Sequence, residues 1–316
     1  MGPTLAIAFG AGLASALLFA TLATGNPMAI VLFYFAALPM LIAGLGWGHY
    51  AGGFAAAIGA LALSIALHSQ FGLFFFFWIG LPAWFLSYLA MSGRPRPTAE
   101  DPDGFAWFSP GALLSMIGAS AVALMFFGVA VLFGFDFATY QASLRTAIDL
   151  SLRRMTSVDD ETRATLAAFM TTAMPVAAAI VWTFVTTLNL FIAGRIVRAS
   201  GRLARPWPDL PSLRLPRWTA GALLAGSLAS FAPGVIGHVG VVVVAVGLAV
   251  FALAGFALIH DLTRGWQART LALGLLYAIS AIIAWLMIFV ALAGLADVLF
   301  DLRDKRRAPP SPPANP

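Results

Sequence analysis

The sequence has no cysteine, a single lysine and no charge at all over its first 93 residues. Without cysteine, disulfides, iron–sulfur clusters and thiolate zinc sites are excluded. The one lysine, Lys305, sits in a charged tail rather than behind a glycine-rich turn. A P-loop is therefore absent, and the chain has no nucleotide site of that kind. The four histidines, His49, His68, His238 and His260, fall at four different span ends and not at metal-ligand spacing. There is no HExxH, no GxSxG and no carboxylate pair inside an apolar run. A proton relay needs an acid at mid-membrane, and none of the apolar runs offers one. These absences argue against an enzyme, and no catalytic residue, metal or cofactor is expected.

What is present is apolar. Of 316 residues, 61% are hydrophobic and 10% charged, against about 45–50% and about 25% in a soluble domain. The charge-free stretch from Met1 to Gly93 makes about 140 Å of helix at ~1.5 Å per residue, several times a ~30 Å hydrocarbon core. The chain must cross a bilayer repeatedly, which predicts an all-α, polytopic transmembrane helix bundle. A single transmembrane domain is expected over 1–302, with a basic, proline-rich tail over 303–316. The spans read as 3–24, 27–46, 48–67, 71–91, 110–135, 168–194, 219–236, 239–259 and 271–299. Eight true crossings are preferred, with one segment short or re-entrant, and nine is the alternative.

The net charge of +5 fits basic loops on the cytoplasmic side better than a nucleic-acid partner. Arg195, Arg198, Arg202, Arg205, Arg214 and Arg217 face one acid, Asp209, between two spans. That loop is expected inside, and six spans back the N-terminus is inside as well. The setting is then the bacterial inner membrane. No cleaved signal peptide is expected, since the N-terminus has no basic region. Segment 136–156 repeats Phe137, Tyr140, Leu144, Ile148, Leu152 and Met155 at helical spacing. It predicts an extracytoplasmic amphipathic helix, on the outer membrane surface or packed over the bundle, with Arg145–Asp149 and Asp149–Arg153 as pairs four residues apart. Ser157 and the acids Asp159, Asp160 and Glu161 mark the next helix start.

Two stripes of small residues recur every four positions: Thr4, Ala8, Gly12, Ala16, Ala20 and Thr24, then Gly44, Gly48, Gly52, Ala56, Ala60 and Ser64. Small residues let helix backbones approach closely. The stripes serve either internal packing or a partner subunit, for which Ala8, Gly12, Ala16 and Ala20 are the candidates. Trp182, Thr186 and Asn189 in the sixth span, with the mid-span Trp84 and Trp285, are candidate lining for a small-molecule pocket, and Pro39, Pro82 and Pro175 for helix breaks around it. An interhelical hydrogen bond is the plainer role for Asn189. Arg195, Arg198, Arg205, Asp297 and Arg303 form a candidate cytoplasmic motif.

The run Asn189–Arg195, continuing through Arg198 to Arg205-Pro206-Trp207-Pro208-Asp209-Leu210, resembles the YybS-like bacterial membrane proteins, a family of unknown function. So do Ala254–His260 and Gly294–Arg303. The N-terminal half is similar to the substrate-binding components of energy-coupling-factor vitamin transporters, through Leu38-Pro39-Met40, the glycines Gly44, Gly48, Gly52 and Gly53, and the stripe Ala8, Gly12, Ala16, Ala20. That resemblance implies a coupling-subunit contact on the first stripe, although the extra spans and the surface helix depart from the six-helix pattern. The function expected is a non-enzymatic, transporter-like component that binds a small neutral or apolar ligand and relies on membrane partner subunits. The alternative is an envelope assembly protein that recruits partners through its stripes and Arg-rich loop.

Overall fold

The computed structural model describes residues 2–97, 104–134, 136–155 and 159–307. Ser157 and the proline-rich tail from 308 onward lie outside them. The chain is an all-α bundle, with one short hairpin of β1 (Gly93–Pro95) and β2 (Phe105–Trp107). Seven helical stretches among the described residues are long and apolar enough to cross a membrane: Gly2–Thr24, Pro27–Trp47, His49–Ala66, Ser69–Ala90, Pro110–Val131, Asp160–Ala199 and Gly234–Leu262. Three apolar helices are shorter: Trp218–Ala229, Arg269–Ile282 and Leu286–Phe300.

The helices are α1 (Gly2–Ala20), α2 (Pro27–Tyr34), α3 (Leu38–Trp47), α4 (His49–Ala66), α5 (Ser69–Phe75) and α6 (Leu81–Ala90). They continue as α7 (Pro110–Phe133), α8 (Phe137–Met155), α9 (Asp160–Ala199), α10 (Trp218–Ala229), α11 (Gly234–Leu262), α12 (Arg269–Ile282), α13 (Leu286–Phe300) and α14 (Leu302–Arg307). They group into two compact units, one of residues 1–109 and 116–207, the other of 110–115 and 208–316.

In the first unit, α1 packs along α4. Ala8, Gly12 and Ala16 are buried there, and a Cβ on Gly12 would stand 2.6 Å from the Ala55 carbonyl oxygen. Three residues of the first stripe thus pack within the chain, as the internal-packing reading expects, while Ala20 is half-buried and Thr24 exposed. Leu5, Phe9, Leu13 and Leu17, also four apart, are exposed instead. The second stripe is not one helix. Gly48, at φ +93°, takes a conformation that side chains rarely adopt and separates α3 from α4. Gly44 and Gly52 therefore meet across two helices: a Cβ on Gly52 would stand 3.1 Å from the Gly44 Cα.

The amphipathic segment forms α8, which packs on α9 with Phe137, Tyr140, Leu144, Ile148 and Leu152 turned away from full exposure. Asp149 pairs with Arg153 at 2.8 Å and with Arg163 of α9 at 3.1 Å, rather than with Arg145. The Arg153 hydrogen bond, with Arg163 beside it, holds the Asp149 carboxyl below the usual carboxylate range. Asp159 caps α9 by accepting from the Thr162 backbone N–H. With 40 residues, α9 is about 60 Å long, twice a ~30 Å core, so one end extends past the membrane.

The second unit differs from the sequence reading at two places. Helix α10 stops at Ala229, and Pro233, extended at φ −72° and ψ 160°, precedes α11. The apolar run 219–259 is therefore a 12-residue helix and a 29-residue one, not two spans split at 236–239. The run 271–299 is interrupted at Ile283, Ala284 and Trp285, where no Gly or Pro announces a break.

Candidate functional site

The site grows out of two helix interruptions in the first unit. Between α2 and α3, Pro39 has no N–H for the Phe35 carbonyl, and the Leu38 N–H donates there instead, three residues back. The Tyr34 carbonyl is left for another donor. Asn189 of α9 supplies it: Nδ2 donates to the Tyr34 oxygen at 2.7 Å and to the Val185 oxygen at 2.8 Å. The second interruption is a π-helical turn at Phe76–Gly80, between α5 and α6; such turns recur at functional sites. Pro82 has no N–H to offer Trp78 four residues before it. The Trp182 indole, also on α9, donates to the Trp78 carbonyl at 3.3 Å. Two polar side chains of one helix thus tie down two broken neighbours.

A cavity of about 420 Å³ opens between these parts. Its walls are Phe33, Tyr34, Ala37 and Leu41 from the second span, Trp78, Ile79, Pro82 and Ala83 from the fourth, and Met174 to Asn189 along one face of α9. The lining is almost wholly apolar. Polar character comes chiefly from Asn189 and Thr186, three residues apart and so on one face. Asn189 is 1% exposed, and its Oδ1 has no hydrogen-bond partner among the described residues. Since Nδ2 is committed to two carbonyls, which oxygen is free is settled by chemistry.

A second cavity, of about 280 Å³, shares Trp78, Ala178 and Trp182 with the first and reaches Pro175 and Tyr140 of α8. A third, of about 330 Å³, takes in Trp84, Tyr50 and Phe54. Among the sequence candidates, Trp182, Thr186 and Asn189 therefore line one cavity, with Pro82 on its wall. Trp84 stands at another, and Trp285, which belongs to the second unit and is 63% exposed, is not among the residues that line these three cavities. Sequence reasoning passed over Trp78 and Tyr34. The signal for Trp78 was there: in a regular α-helix the residue four before a proline has a carbonyl without its N–H donor.

The basic candidates also divide. Arg195 and Arg198 are exposed. Arg205 is half-buried, donating to the Ala90 and Phe108 carbonyls at 2.6 and 3.3 Å, and burial pulls its pKa down. Within the second unit, Asp297 and Arg303 form a buried ion pair at 2.5 Å, with Arg303 also donating to the Pro211 and Leu213 carbonyls. Around it, Arg214 binds Asp304, Arg217 binds Asp301, and Arg264 binds Asp209.

A family model described as "Predicted membrane protein (DUF2232)" matches residues 13–298. No curated protein and no solved structure matches the chain.

Proposed function

The chain belongs to this predicted membrane protein family, and from that premise we propose that this integral membrane protein is a non-enzymatic, transporter-like component that holds a small neutral or apolar ligand between its helices. The observation that carries the reading is the apolar 420 Å³ cavity of the first unit, walled by two interrupted helices and by α9. Interrupted helices beside a cavity are how membrane carriers expose polar backbone to a substrate. The absence of charge over the first 93 residues supports a neutral ligand, because a charged one would lie unpaired in low dielectric.

Energy would come from partner subunits, as in the energy-coupling-factor systems that the N-terminal half resembles, and the YybS-like resemblance is part of the same reading. The burial of Ala8, Gly12 and Ala16 against α4 speaks for a subunit contact that does not use these three residues. Purification of the full chain in mild detergent, followed by mass spectrometry, should retain a small molecule and an ATPase or coupling subunit. Recovery of neither overturns the reading. Partner proteins without any ligand or uptake phenotype would favour an assembly role.

We place the protein in the bacterial inner membrane with the N-terminus and the Arg195–Arg217 segment on the cytoplasmic side. The lack of cysteine makes this directly testable. A thiol introduced as Ser200→Cys, at an exposed position, should resist a membrane-impermeant maleimide in intact cells and react after lysis. Labelling in intact cells reverses the orientation.

A further inference from the structure

We infer that the ligand of the α2–α9 cavity is a neutral, mainly apolar molecule that presents a hydrogen-bond donor, a hydroxyl or an N–H, to Asn189 Oδ1. This rests on the binding reading above and narrows it to a chemical class. The buried oxygen is an unmet acceptor, and a buried acceptor left unpaired is costly. Its own amide nitrogen cannot relieve it, because both hydrogen bonds of that nitrogen go to the Tyr34 and Val185 carbonyls. Rotating the amide would place the oxygen against those carbonyls.

The neighbouring Thr186 hydroxyl lines the same wall and makes no hydrogen bond among the described residues. A hydroxyl both donates and accepts, so a ligand hydroxyl suits a wall that carries the Asn189 acceptor and the Thr186 hydroxyl. The rest of the wall, Phe33, Trp78 and Trp182 included, asks for an apolar body and suits a flat ring by offset or edge contact. Tyr34, Met174 and Val181 at this cavity are partly exposed, so a lipid acyl chain is the natural competitor. An acyl chain brings no donor and leaves Asn189 Oδ1 as it is.

The test uses the full chain in phosphatidylcholine nanodiscs and two probes of nearly equal size, 2-naphthol and 2-methoxynaphthalene. Binding is read by equilibrium dialysis, with empty nanodiscs subtracted. The expected result is that 2-naphthol binds about tenfold tighter than its methyl ether. That preference should shrink in Thr186→Val, which keeps the shape, and vanish in Asn189→Leu if that variant folds. Ala37→Phe, which fills the cavity, should remove both probes. Equal binding of the two probes, still abolished by Ala37→Phe, overturns the donor inference and leaves the cavity reading standing. Binding of neither probe, or binding unchanged by Ala37→Phe, overturns the cavity reading and this inference with it.

Discussion

Asp297→Ala should destabilise the second unit by about 3–5 kcal/mol, the cost of leaving a buried charge without its partner. The exposed variant of such a pair would cost well under 1 kcal/mol; the difference here is burial. Arg303 is 1% exposed and Asp297 is buried with it, at 2.5 Å. Among the described residues, removing the carboxylate leaves the guanidinium the Pro211 and Leu213 carbonyls. These dipoles hold the segment before α10 against α14, so loss of the pair loosens that segment as well. The measurement is the unfolding midpoint of the full chain in detergent. The double variant Asp297→Leu with Arg303→Met should be more stable than Asp297→Ala, because no charge is then stranded. An Asp297→Ala chain as stable as the parent would mean that the pair is solvated.

Gly255→Leu has the second large effect, about 3 kcal/mol, at the upper end of what overpacking costs. Helices α11 and α13 approach through glycines from both sides. A Cβ on Gly255 would enter the Val290 carbonyl oxygen, and one on Gly294 would enter that of Phe251. The atoms in the way are backbone, so a rotamer change gives no relief and the helices must part. Gly274 of α12 is the contrast. It is exposed, with nothing within 4 Å of a Cβ placed there, so Gly274→Leu should leave the midpoint within about 0.5 kcal/mol of the parent. Equal effects at the two positions would contradict the close α11–α13 packing.

The two glycines show how far pattern reading reaches. Both stand in apolar, glycine-rich runs, and nothing local marks one as a contact and the other as open. Spacing showed that the first stripe was built for close approach, but not against what. The neighbour turned out to be α4 of the same chain, which supplies Ala55 and Gly59 opposite Gly12. A stripe of period four describes one surface, and a contact needs two. The same reason hid Trp78 and Tyr34. Asn189 and Trp182 were visible as polar groups in an apolar span, whereas their acceptors are main-chain carbonyls, which every residue has. The proline offset marks Trp78 alone; the Tyr34 carbonyl is freed by the shift of the Leu38 N–H to Phe35, which only the structure shows.

Sequence alone determined that this chain is a multi-pass, helical membrane protein, because 93 residues without charge cannot remain in water, and their continuous apolar runs of about 20 residues pair their backbone in lipid as helices rather than as alternating barrel strands. It also determined the amphipathic character of α8, since a period of 3.6 with charges on one side has one physical solution. Tertiary structure alone decided which helices break, where α10 and α12 stop, which acid pairs with Arg303 and that the buried Asn189 oxygen has no partner among the described residues. Those outcomes depend on what stands opposite each group. In lipid, where apolar surface is not discriminating, the opposing residue decides whether a bare glycine is a contact or open and whether a polar atom is paired.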